Sequence, residues 1–143
     1  MSDKRAALKQ ELSERFPEID PEVRPLGGRV LCQIRSPMSK KGSIILPEDT
    51  KETEKWNTQV AKVLSIGPTA FKSKETLEPW PECVVDGEFR PPVMEGDFIR
   101  VPRYGGDRWE VGQGDTKALF VIYHDYDVGA LITGNPLEMK AFI

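Results

Sequence analysis

The chain has 143 residues, 38% hydrophobic and 30% charged, which fits one soluble globular domain with a modest core. Its net charge is -3 and its Lys and Arg residues are scattered, so it lacks the concentrated basic stripe of a nucleic-acid surface. No apolar run approaches the roughly 20 residues of a membrane span, and the charged start, Met1 to Ala7, has no apolar stretch of the kind a signal peptide needs.

In chain order, Ala6, Leu8, Leu12 and Phe16 recur at near-helical spacing, so Asp3 to Phe16 reads as a short helix, capped by Ser2 or Asp3 and stopped by Pro17 and Pro21. After Pro25 the texture becomes β. Arg29 to Arg35 is a short buried strand with polar ends, and Thr58 to Ile66 a half-buried one ended by Gly67-Pro68. Val84 to Phe89 carries a hairpin signal, since Asp86-Gly87 suits a type I′ turn. Strands are further expected over Asp97–Pro102, Arg108–Val111, Ala118–Tyr123 and Val128–Ile132. Turns fall at Tyr104-Gly105-Gly106-Asp107 and Gly112-Gln113-Gly114-Asp115, and a polar corner at His124 to Asp127. Short strands with turns every eight to twelve residues indicate a small β-barrel or sandwich.

Cys32 lies in an apolar alternating run and reads as a buried free thiol; Cys83 lies in a Pro-rich stretch. A reducing cytoplasm is the default setting, with a disulfide as the alternative. Two Cys and one His cannot supply the usual structural zinc sets.

The odd segment is Ser36 to Trp56, rich in Lys, Glu, Ser and Thr, with one apolar island at Ile44-Ile45-Leu46. Its composition is that of a disordered loop, and a structureless loop of such length in a compact domain is usually functional. Gly42 frees the backbone before the island and Pro47 stiffens the exit. Two readings stand: the tripeptide is an exposed hook for a partner, or it is an edge strand or core plug of its own subunit.

The motifs, taken in order, resemble GroES-type co-chaperonins. Val23-Arg24-Pro25-Leu26-Gly27-Gly28-Arg29-Val30 is similar to the family's opening R-P-L-x-D-R-V. Lys41-Gly42-Ser43-Ile44-Ile45-Leu46-Pro47-Glu48 is similar to its mobile-loop motif. Ala61 to Pro68, the hairpin at Val85-Asp86-Gly87-Glu88, Val93 to Ile99, Tyr104-Gly105-Gly106, and Leu119 to Ile132 follow in the family's order. Gly28 stands where the family has Asp, Ser43 replaces the second loop Gly, and Thr69 to Cys83 reads as an insertion. These departures suggest a divergent member, with a phage source as one reading.

The resemblance implies an all-β, GroES-like β-barrel over residues 23–133. It would carry a mobile loop at about 36–56, the insertion at 69–83 and a roof-type hairpin at 84–90. A helical extension, 1–22, precedes it and a tail, 134–143, follows it. It implies a non-enzymatic subunit of a ring, a heptamer by family analogy, in the cytoplasm, or in the host cytoplasm if phage-encoded. Gly42, Ser43, Ile44, Ile45, Leu46 and Pro47 would bind chaperonin apical domains, and clients would be enclosed indirectly. Val85, Asp86, Gly87 and Glu88 would form the roof. Val23, Arg24, Pro25 and Leu26 of one subunit would meet Val128, Ala130, Leu131 and Ile132 of the next. No cofactor, metal, nucleic acid or membrane is expected; ATP belongs to the chaperonin, and this chain shows no P-loop.

Two other functions are weighed. A single-stranded nucleic-acid-binding barrel would stack bases on Tyr104 and Trp109 beside Arg103 and Arg108, against the acidic balance. An enzyme fragment related to the GroES-like domain of alcohol dehydrogenases would need zinc ligands and a nucleotide-binding unit, and both are missing. His124 reads as a turn residue, since strand neighbours point to opposite faces and His124-Asp125 makes no dyad. Asp125 and Asp127 read as a polar corner rather than a cation site. Trp80, between Pro79 and Pro81, reads as the packing anchor of the insertion.

Overall fold

A computed structural model describes residues 10–35, 40–41, 44–45, 60–102, 105–113 and 116–137. Among these residues ten strands run in chain order: β1 (Arg29–Ile34), β2 (Lys40–Lys41), β3 (Ile44–Ile45), β4 (Val60–Ile66), β5 (Val84–Val85), β6 (Glu88–Phe89), β7 (Phe98–Arg100), β8 (Asp107–Gln113), β9 (Thr116–His124) and β10 (Ala130–Leu131). Six make one antiparallel sheet in the order β10-β7-β4-β1-β9-β8; β2-β3 and β5-β6 are separate two-stranded ladders. The all-β reading therefore holds; among the described residues helix is found at residues 10–15 and as short 3-10 turns at Pro81–Cys83 and Asp125–Asp127.

Strand β1 is central: Val30 to Ile34 are buried on both faces and, Gln33 aside, apolar, as suits a strand with two covered faces. Val30, Cys32 and Ile34 point into the main core with Val63, Ile99, Leu119, Val121 and Tyr123. Leu31 points the other way, into a second cluster with Ala118 and Phe120, lined by Ile19, Leu64, Trp109, Val111 and Ile122. The sheet curls strongly. Tyr123 on β9 donates its hydroxyl to the carbonyl of Pro102, just past β7, across two intervening strands (2.7 Å). That closure is the barrel-like geometry expected of a short-stranded β domain.

Strand β4 is not a plain alternation. Leu31 pairs with Ser65 and Cys32 with Val63, so Leu64 has no partner and forms a β-bulge. The bulge lets Val63 and Ile66 both serve the main core while Leu64 turns to the second cluster. Beyond it Gly67 is mandatory. A Cβ there would stand 2.2 Å from the carbonyl oxygen of Gly27, where Gly67 and Thr69 donate N–H bonds to Arg29 and Gly27 (2.7 and 3.1 Å).

Several sequence-based boundaries shift: the expected strands Asp97–Pro102 and Val128–Ile132 shorten to Phe98–Arg100 and Ala130–Leu131. Gly112 and Gln113, expected as part of a turn, continue β8, which pairs with β9 through Gln113↔Thr116. A long antiparallel pair keeps its ladder to the last residue that finds a partner, and Gly112 tolerates its φ of 118° without strain. Cys83, in the Pro-rich stretch, is fully buried in the main core, and both cysteines are free thiols.

Candidate functional site

The segment expected to reach a partner connects β1 to β4, neighbours in the middle of the sheet. Its root is closed by the Arg35 N–H donating to the carbonyl of Val60 (3.0 Å), and Arg35 Nη1 donates to the carbonyl of Pro136 (2.7 Å). Within the connection, Lys40 pairs with Ile45 and Lys41 with Ile44. The two isoleucines thus lie in a small ladder of their own, not in the six-stranded sheet. Gly42, Ser43, Leu46 and Pro47 lie outside the described residues.

The hairpin expected at the roof is β5-β6, with Val84↔Phe89 and Val85↔Glu88 paired. Asp86 (φ 53°) and Gly87 (φ 80°) both take the left-handed conformation that a type I′ turn demands. Val85, Asp86, Gly87 and Glu88 are all exposed. The base is tied by the Arg90 N–H donating to Cys83 (2.7 Å).

The expected interface residues fall on two separate surfaces of the subunit. Val23 and Leu26 are 45% and 61% exposed, Arg24 is exposed and Pro25 is buried; none of the four is in a strand. At the far end of the sheet, β10 pairs with β7 through Ala130↔Arg100 and Leu131↔Ile99, and among the described residues it is the edge strand. Ala130 and Leu131 are exposed, Val128 packs half-buried on the main core, and Ile132 donates its N–H to Phe98 (2.8 Å). An edge strand with exposed apolar side chains is an element with which another chain can pair.

Sequence reasoning missed Asp125. Its side chain is buried, 5% exposed, and both oxygens are used: Oδ2 accepts the Phe71 N–H and Oδ1 the Tyr126 N–H (2.8 Å each). A Cβ at Gly28 would sit 3.2 Å from Oδ2, so the Gly that replaces the family's usual Asp leaves room for this carboxylate. The Phe71 N–H bond supports a non-glycine residue at φ 62°. No sequence signal separates such a strut from an exposed corner aspartate.

The residues weighed for other chemistry are occupied structurally. The His124 ring stacks on Tyr126 at 4.9 Å and 5°. Trp109 donates its indole N–H to Pro21 (3.1 Å) and packs its ring against Phe120 at 5.8 Å. Arg108 donates to the Tyr123 hydroxyl and lies against that ring. Trp109 and Arg108 therefore point into separate contacts and form no base-stacking platform; Arg103 and Tyr104 lie outside the described residues. Among the described residues no three His, Cys, Asp or Glu side chains are grouped to hold a metal, and no helix is long and apolar enough to cross a membrane.

Comparison with known proteins agrees with this geometry. The family described as Chaperonin 10 Kd subunit matches residues 22–132. A Co-chaperonin GroES from Methylacidiphilum infernorum is 30% identical over 117 residues, covering 81% of this chain and 99% of the relative. The mitochondrial 10 kDa heat shock protein of Schizosaccharomyces pombe is 28% identical over 109 residues, covering 76% of this chain and 86% of the relative. With the family's β fold and its motifs in their order along one chain, this protein belongs to the chaperonin 10 kDa subunit family, as a divergent GroES-type co-chaperonin.

Proposed function

We propose that this chain assembles into a ring and caps a chaperonin by presenting Ile44, Ile45 and Leu46, flanked by Gly42, Ser43 and Pro47, to apolar grooves on the chaperonin's apical domains. The observation that carries the reading is the family match across residues 22–132, which spans the loop motif. Among the described residues Ile44 pairs with Lys41 and Ile45 with Lys40, apart from the six-stranded sheet, which adds support. The chain itself needs no nucleotide: the chaperonin hydrolyses ATP and the lid encloses a folding client. Two buried free thiols and a bacterial relative support a cytoplasmic setting.

Magnitudes explain why a ring is required. Burying each of the three aliphatic side chains stabilises a complex by about 1.5–3 kcal/mol. Ordering loop residues costs about 1–2 kcal/mol apiece. The terms nearly offset, so a single loop binds weakly and releases readily. Repetition around a ring, seven-fold by family analogy, makes later contacts intramolecular and raises overall affinity by roughly 10²–10⁴. The β2-β3 ladder lowers the ordering term, because four residues around the hook already share an extended pairing.

The test is co-elution of the purified protein with a chaperonin, with ATP or ADP and without nucleotide, alongside native mass spectrometry of the protein alone. The reading expects a nucleotide-dependent complex and a closed ring. A protein that stays monomeric, or never joins the chaperonin with either nucleotide, overturns it.

A further inference from the structure

Residues 10–21 precede the region matched by the family, yet they are built into the subunit. Phe16 is 5% exposed, and its ring lies 5.1 Å from that of Phe98 on β7. One residue on, the Pro17 carbonyl accepts a bond from the buried side-chain amide of Gln33 on β1 (2.7 Å). Ile19 packs on the second apolar cluster, and the Pro21 carbonyl accepts the indole N–H of Trp109 on β8 (3.1 Å). In the sheet order β10-β7-β4-β1-β9-β8, these anchors lead from near one edge, over the centre, to the opposite edge. The segment is a strap laid across the outer face.

The strap ends in a fixed corner. Glu22 has φ 65°, costly for a residue with a side chain, and its N–H donates to Oδ1 of Asp20 (2.9 Å). Val23 to Leu26 follow at once, with Val23, Arg24 and Leu26 exposed. The arm starts one residue after Glu22, beyond the Pro21 carbonyl that Trp109 of β8 holds, and ends at Gly27, whose carbonyl accepts the Thr69 N–H (3.1 Å); among the described residues β10 is the edge of the sheet opposite β8. A donor at one end and an acceptor at the other make a head-to-tail contact, which closes into a ring when the rotation from copy to copy completes a circle.

We infer that residues 10–22 are a splint: they hold the arm Val23–Leu26 in the direction in which β10 of a second copy receives it. This rests on the ring reading above. A loose arm would lose its freedom on assembly, and a splinted arm has already lost it during folding, so the splint strengthens the ring without adding an intersubunit contact. The polar anchors fit this role. Gln33 is a buried polar side chain in an apolar strand, and its amide donates to the strap.

The test is dilution of the assembled ring, followed by sedimentation velocity, for the full-length wild type, the double variant Gln33→Leu/Trp109→Phe, and Asp20→Ala. The double variant removes two anchors while keeping apolar bulk; Asp20 is exposed, so its change does not threaten folding. The splint expects the concentration at which the ring dissociates to rise by about tenfold or more in the double variant and by a smaller factor in Asp20→Ala, since one ordered side chain or backbone step weighs near a factor of ten. Hydrogen exchange of the Val23, Arg24 and Leu26 amides in the dissociated subunit should quicken in both variants. Chaperonin capture at concentrations that keep the ring intact should match wild type. Dissociation and exchange equal to wild type in both variants would overturn the splint while leaving the ring reading in place. A wild type that is monomeric at every concentration would overturn both.

Discussion

Two long polar stretches of this chain, the β1–β4 connection and the stretch 69–83, look alike in composition, but their described residues make different pairings. The 69–83 stretch is nailed to the core. Ala70, Phe71 and Cys83 are buried, Trp80 meets Phe71 edge-on at 5.4 Å, and Asp125 takes the Phe71 N–H. Its tip is braced as well: Lys72 pairs with Pro79, Ser73 donates to the carbonyl of Glu78 (2.7 Å), and the Lys72 ammonium lies 4.7 Å from the Phe89 ring. In the β1–β4 connection the described residues, Lys40, Lys41, Ile44 and Ile45, pair only with one another. The difference teaches that polar composition does not by itself make a segment a partner-binding loop. In the 69–83 stretch, large apolar residues find a place in the subunit's own core.

The contrast breaks first at Phe71. Phe71→Ala should destabilise the subunit by about 3–5 kcal/mol, read by urea unfolding, because a buried aromatic is lost and a cavity left behind. A loss below about 1 kcal/mol would mean that the stretch is only draped over the core. Asp125→Ala comes next: stranding the buried Phe71 N–H should cost about 1–3 kcal/mol by the same assay, whereas a neutral result would remove the strut from the account.

An alkaline titration gives a more gradual effect. Burial pushes the Cys32 thiol from its usual 9.0 up to about 12. Burial also pushes the Tyr123 phenol from 10.0 up to about 12, partly countered by Arg108. Each group keeps its proton in the folded chain at pH values where the unfolded chain has released it. The stability they contribute is complete below about pH 9 and is lost as pH climbs toward 12. Cys32→Val should remove the part of that decline that begins near pH 9, leaving the tyrosine part; an unchanged profile would contradict the assignment. The smallest effect on stability belongs to the other stretch, where Ile45→Asp should move the unfolding free energy by less than about 0.5 kcal/mol.

Much of this was legible in the sequence, for reasons that differ by element. Asp86-Gly87 announced its hairpin because few residue pairs tolerate two consecutive positive φ angles. Val30 to Ile34, broken only by Gln33, and the run up to Tyr123 announced central strands by their mainly apolar character. The Leu64 bulge was hidden, since Val63-Leu64-Ser65-Ile66 satisfies a plain alternation equally well until the partner strand is known. The strap and the Asp125 strut were hidden too. Their bonds run from side chains to carbonyls or N–H groups far along the chain, such as Gln33 to Pro17 and Asp125 to Phe71, and no local pattern encodes such a partner.

Ile45→Asp, measured for ring assembly and for chaperonin capture in the same preparation, tests the account at its centre. The expected result is a folded, fully assembled ring that no longer joins a chaperonin in the presence of ATP or ADP. A ring that joins as well as wild type would show that the aliphatic hook is not what grips the partner.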